Sequence, residues 1–200
     1  DTWMLANSTA NAIVKTGVRL FGGLDVVLRL VKGDQLVMAA GTFPADPGNE
    51  YSMALDGRSI GPRTVLRREV IQAPDGTTKD WDWVDETVKQ NAIRRGIRAV
   101  LVAPMLRENS AVGAIVVTRA TPGLFTDKQI ALLKTFADQA VIAIENVRLF
   151  NETKEALEQQ TVISEILRVI SSSPTDTQPV FEAIVKSGVH LFGGFDVSLL

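Results

Sequence analysis

Residues 98–119 read RAVLVAPMLRENSAVGAIVVTR, and residues 124–150 read LFTDKQIALLKTFADQAVIAIENVRLF. The first stretch holds two apolar runs rich in β-branched residues, Arg98–Leu106 and Ala111–Thr118, joined by the polar Arg107–Ser110. Runs of that length around a short turn predict two neighbouring strands. The second stretch changes period. Thr126-Asp127-Lys128-Gln129 has the form of a capping box, a hydroxyl at the cap and a Gln three residues on. Ile130, Leu133, Ala137, Ala140, Ile144 and Val147 then recur at helical spacing, which suits either a face packed on a sheet or a coiled-coil seam. No proline or glycine interrupts Asp127–Ile170. One helix of about 66 Å is therefore expected, at 1.5 Å per residue.

Upstream, an amphipathic helix is expected to run to about Phe21 and stop at Gly22-Gly23. Val26–Val31 and Gln35–Ala40 are strand-like, with Lys32-Gly33-Asp34 as the hairpin turn. Gly41–Ser52 is a polar loop, Gly61–Arg68 a short helix, Val70–Gln72 a brief strand and Asp85–Arg95 another helix. Pro74-Asp75-Gly76 has turn composition. The order of elements predicts a mainly antiparallel sheet covered by helices.

The sequence repeats itself. AIVKTGVRLFGGLDVVL at 12–28 returns as AIVKSGVHLFGGFDVSL at 183–199, with 13 of 17 positions identical. A period of 171 residues is too long for a solenoid and implies a duplicated domain. The expected organisation is a sensory domain at 1–150, a helical linker at 151–174 and the start of a second copy at 175–200.

Composition narrows the function. The 200 residues carry 21 Lys+Arg against 23 Asp+Glu, without the basic excess expected of a nucleic-acid binder. There is no cysteine, which removes disulfides, thiolate nucleophiles and thioether-linked chromophores, and fits a reducing cytoplasm. No apolar run approaches the roughly 20 residues needed to span a bilayer.

RAVLVAPMLREN, AVGAIVVTR and LFTDKQIALLKTFADQAVIAIENVRLF, with LFGG before the first strand, resemble a GAF domain of the type found in tandem in bacterial sensor histidine kinases and nucleotide cyclases. The resemblance covers about 9–150 and is weakest over 41–97. It implies an α+β fold: a six-stranded antiparallel sheet flanked by helices, followed by a long connector helix. It also implies a sensing and dimerising module.

The family's specialised chemistries can be checked against the residues present. Cyclic-nucleotide-binding relatives carry an Asn-Lys…Phe…Asp-Glu motif. Here Asn109, Phe125 and Asp127 remain, but Ser110 replaces the lysine and the Asp-Glu pair is missing. Bilin-binding relatives and those that reduce free methionine sulfoxide use cysteines. Haem-binding relatives need an axial ligand, and the single histidine is His190, where the first copy has Arg19. A serine–histidine–carboxylate triad cannot form in the first copy. Leu55–Gly61 lacks a P-loop ending. The acidic run Asp75, Asp80, Asp82, Asp85 and Glu86 is broken by Val84 for an EF-hand, and reads as a solvated loop that caps the next helix. The expectation is no enzyme, no cofactor and no metal.

The ligand-binding candidates are Trp81, Trp83 and Arg98. The tryptophans, set among aspartates, can stack on a flat ligand or pin their loop to the sheet. Arg58, Arg63, Arg67, Arg68, Arg94, Arg95 and Arg98 form two basic clusters in the same region, and guanidinium groups suit carboxylates or phosphates. Arg98 matches an arginine recurrent in this GAF type, and a structural role for it is equally open. The expected function is a cytoplasmic small-molecule-binding and dimerisation module of a bacterial signalling protein, a sensor histidine kinase in the first instance. The alternatives are a ligand-free dimerising spacer and the regulatory domain of an adenylate, guanylate or diguanylate cyclase. The expected partners are a small molecule or none, and a second copy joined along the long helix, without nucleic acid or membrane insertion.

Overall fold

The computed structural model describes residues 2–21, 24–42, 52–76 and 81–172, together with 181, 182 and 185. In chain order the elements are α1 (Thr2–Leu20), β1 (Asp25–Lys32), β2 (Gln35–Gly41), β3 (Ser52–Ala54), α2 (Ile60–Arg67), β4 (Ile71–Ala73), α3 (Glu86–Arg94), β5 (Ala99–Arg107), β6 (Ser110–Arg119) and α4 (Asp127–Ser172). Two compact units divide the chain, Asp1–Val147 and Arg148–Leu200. Residues 127–147 of α4 belong to the first and 148–172 to the second. Of the expected second copy at 175–200, Phe181, Glu182 and Val185 are among the described residues and the rest lies outside them.

Six antiparallel strands form one sheet in the order β3-β2-β1-β6-β5-β4. Two hairpins supply its four central strands. The first turns at Gly33, whose φ of 58° suits a two-residue loop between the paired Lys32 and Gln35. The second turns at Glu108-Asn109, with Glu108 at φ 54°. The inner strands β1 and β6 then pair from Asp25↔Thr118 to Leu30↔Gly113. The edge strands β3 and β4 have three residues each, and short edges limit pairing with other chains. β3 is the strand that composition alone does not mark. It forms because Met53 pairs with Leu36 of β2.

Both faces of the sheet are covered. On one, Val26, Leu28, Leu101, Ala103, Ile115 and Val117 meet Ile13 and Val14 of α1, and Leu133, Phe136, Ala137 and Ala140 of α4. Burying each large aliphatic side chain contributes about 1.5–3 kcal/mol. Of the two uses open to the 3–4 spacing of α4, this half covers the sheet. Gly17 lets α1 approach closely, because a Cβ there would lie 2.9 Å from the Phe136 ring. On the other face, Leu36, Val100, Val102 and Ala114 pack with Ile60 and Val65 of α2, with Trp81 and with Val84.

α4 starts with the expected reciprocal cap. The Gln129 N–H donates to Thr126 Oγ1 (3.3 Å), and the Thr126 N–H donates to Gln129 Oε1 (3.0 Å).

Candidate functional site

The face under α2 and α3 holds a half-open cavity of about 140 Å³. Alternation along the strands builds its floor. Val27, Val116 and Val102 are aligned across β1, β6 and β5, with Thr118 and Val100 one step toward one end and Arg29 one step toward the other. Met38 and Met53 add flexible apolar walls from β2 and β3. Ser59, Ile60 and Gly61, at the start of α2, and Val88, Asn91, Ala92 and Arg95, along α3, form the cover. Trp81 and Ile97 complete it.

Local hydrogen bonds hold that cover. Asp85 caps α3 by accepting from the Thr87 N–H (2.9 Å), and its own N–H donates to the Arg58 carbonyl (2.7 Å). The loop before α2 is thereby tied to the start of α3. Arg63 Nε donates to the Gly57 carbonyl (3.1 Å), closing the same loop. Lys89 sits 3.8 Å from both Asp82 and Glu86. The acidic segment thus serves as helix cap and surface pairing. Among the described residues, no three His, Cys, Asp or Glu side chains come together to hold a metal ion.

Several polar groups are buried around the apolar floor. Arg29 is 8% exposed, Thr118 4% and Trp81 2%. The Trp81 indole Nε1 and the Thr118 hydroxyl have no hydrogen-bond partner among the described residues. A buried donor left in that state costs on the order of 1–3 kcal/mol. Among the described residues, the lining includes two guanidinium groups, those of Arg29 and Arg95, and no carboxylate.

The three sequence candidates are separated by the fold. Trp81 lines the cavity and is packed into the second core. Trp83, two residues on, lies half-buried beneath the Arg63 guanidinium, 3.6 Å from ring centroid to Cζ, and borders a separate surface groove beside β4. Arg98 is not among the residues lining the cavity. It grips Asp75 with Nε to Oδ1 at 3.1 Å and Nη2 to Oδ2 at 3.0 Å. The hydrogen bond and charge of Asp75 move the Arg98 pKa further up, so the guanidinium is charged throughout the ordinary pH range. Asn109, Phe125 and Asp127, the remnant of the cyclic-nucleotide motif, also lie outside the lining.

Arg29 and Thr118 were not legible as site residues. The only local signal is a charge interrupting the apolar run Val26-Val27-Leu28-Arg29-Leu30. Which face each strand residue takes, and what covers that face, are tertiary facts.

Several solved structures share this architecture. A GAF domain/HD domain protein from Geobacter sulfurreducens superposes with TM-score 0.59 at 17% identity, over 72% of this chain and 94% of that one. The domain of a putative two-component sensor histidine kinase from Sinorhizobium meliloti 1021 gives 0.57 at 15%, covering 72% and 92%. A type II free methionine-R-sulfoxide reductase from Thermoplasma acidophilum gives 0.58 at 14%, covering 74% and 97%. No curated protein matches the chain. Residues 6–144 match the GAF domain family over more than half the chain, and with a six-stranded sheet between α1/α4 and α2/α3, the chain belongs to that family.

Proposed function

We propose that the unit Asp1–Val147 is a sensory module of a signal-transduction protein, which binds a small molecule in the cavity beneath α2 and α3. The observation that carries this is the pairing of an apolar floor with buried donors that have no partner among the described residues. Ligand sites combine those two features. A bound molecule that wedges the sheet from α2 and α3 would change strand packing under α4, whose Leu133, Phe136 and Ala137 rest on the opposite face. A coupling of about 1–3 kcal/mol through that helix would alter an output several-fold.

The full-length host in this proposal is a bacterial sensor histidine kinase carrying tandem GAF domains. The histidine-kinase domain among the similar folds supports the choice by analogy. Thiol chemistry is closed to this chain, which contains no cysteine. A thermal-shift screen of small metabolites against the 200-residue chain tests the sensing role. Hits should raise the melting temperature, and Ala92→Trp, which fills the cavity from α3, should abolish the rise. A stable chain that responds to no compound would leave the second reading, a ligand-free dimerising spacer. That reading draws on the exposed apolar residues of α4, including Leu149, Phe150, Leu157, Ile163 and Leu167.

A further inference from the structure

The cavity's size and polarity narrow what it can hold. At about 140 Å³ it compares with an engineered apolar cavity of about 150 Å³ that accepts benzene. A body of some six to ten heavy atoms fits within it. The middle of the floor is apolar, formed by Val27, Val116 and Val102.

The polar groups lie at two poles. Thr118 is opposite Asp25 on β1, four residues from Arg29, which separates the poles by roughly 13 Å at about 3.3 Å per residue. Trp81 belongs to the Thr118 pole. Its ring packs against Gly76, whose N–H donates to the Arg98 carbonyl beside the start of β5, and Val100 of β5 pairs with Thr118. Arg95 and Ile97, just before β5, line the cavity at the same end. That pole therefore gathers two buried donors without an acceptor among the described residues, beside a guanidinium.

We infer that the cavity takes a small organic carboxylate with a compact apolar body, of the size of benzoate. Its carboxylate accepts from Trp81 Nε1 and Thr118 Oγ1 and faces Arg95, while its body lies on the valine row. The inference rests on the small-molecule reading above and adds the ligand's chemical class. An anion satisfies both buried donors at once, and hydrogen bonds to a charged acceptor are about twice as strong as neutral ones. A neutral hydrocarbon of the same size would leave both donors unsatisfied.

The test titrates the ¹⁵N-labelled 200-residue chain with sodium benzoate and, separately, with the neutral isostere benzyl alcohol. Three tryptophans, Trp3, Trp81 and Trp83, give three indole N–H resonances, and Trp81→Phe identifies one of them by its loss. Benzoate should shift the Trp81 resonance saturably and bind about tenfold more tightly than benzyl alcohol, the worth of one charge-assisted hydrogen bond. Thr118→Val, which nearly keeps the side-chain volume, should weaken benzoate by about fivefold or more. Benzyl alcohol binding as tightly as benzoate at the same resonance would overturn the carboxylate class and leave the small-molecule reading standing. Failure of both probes to move the Trp81 resonance at millimolar concentration would overturn the inference. The sensing role itself would then be decided by the metabolite screen.

Discussion

Arg98 and Asp75 form a two-pronged ion pair across 23 residues of sequence, and the backbone repeats the connection, with the Gly76 N–H donating to the Arg98 carbonyl at 2.7 Å. A Cβ at Gly76 would lie 3.3 Å from the Trp81 ring. The pair therefore braces the turn on which Trp81 leans, one layer behind the cavity.

Removing one prong of that brace should matter more for Trp81 than for bulk stability, because the pair is partly exposed and exposed pairs stabilise weakly. Arg98→Lys keeps the charge but loses the fork geometry. The expected result is a small fall in melting temperature with a clear change in Trp81 near-ultraviolet dichroism. Since Arg98 is charged across the ordinary pH range, its side of the pair adds no pH dependence to stability below strongly alkaline conditions. An unchanged Trp81 signal would show that the turn holds without the pair.

Thr126→Ala removes one half of the reciprocal cap on α4 and leaves the Gln129 N–H without its side-chain acceptor. The expected loss is about 1 kcal/mol in urea denaturation, the usual cost of losing a hydroxyl cap. Thr126→Ser, which keeps the acceptor, should recover most of it. Equal losses in the two variants would mean the cap is not what the threonine supplies.

Gly113 of β6 leaves no room for a side chain against β1. A Cβ there would lie 2.2 Å from the Arg29 carbonyl oxygen and 2.3 Å from Met105 Cε. Methionine can move aside, but the backbone carbonyl of a central strand cannot without disturbing the sheet. Gly113→Ala should destabilise the domain by about 1–3 kcal/mol or more, as overpacking does. Denaturation that leaves the midpoint unmoved would contradict the register Leu30↔Gly113.

The proposed dimer rests on the second half of α4, where Ile163 and Leu167 are exposed one turn apart. An apolar face of this kind gains by pairing with a second copy of itself. Sedimentation should show a dimer at micromolar concentration, and Ile163→Glu with Ile166→Glu should weaken it at least tenfold. A wild-type chain that stays monomeric at high micromolar concentration would remove dimerisation from the proposal.

Sequence alone determined the elements whose signals are local. The β1–β2 and β5–β6 hairpins follow from apolar runs around short turns, and α4 follows from its capping box and uninterrupted helical spacing. Thr126 and Gln129 make the expected bonds because a cap needs only four consecutive residues. β3 escaped, because Ser52–Ala54 is a strand only through its pairing with β2. The three ligand-binding candidates, chosen on the same grounds, have different surroundings: Trp81 lines the cavity, Arg63 covers Trp83 and Asp75 grips Arg98. The tertiary structure alone decided the cavity. With both faces of the sheet covered, all seven residues from Ala99 to Met105 are buried, so apolar composition cannot say which side chains face α1 and α4 and which face α2 and α3. Only the pairing of β1, β6 and β5 puts Arg29 and Thr118 on the same face as Trp81, and only burial leaves two of those three residues with a polar group that no described residue satisfies.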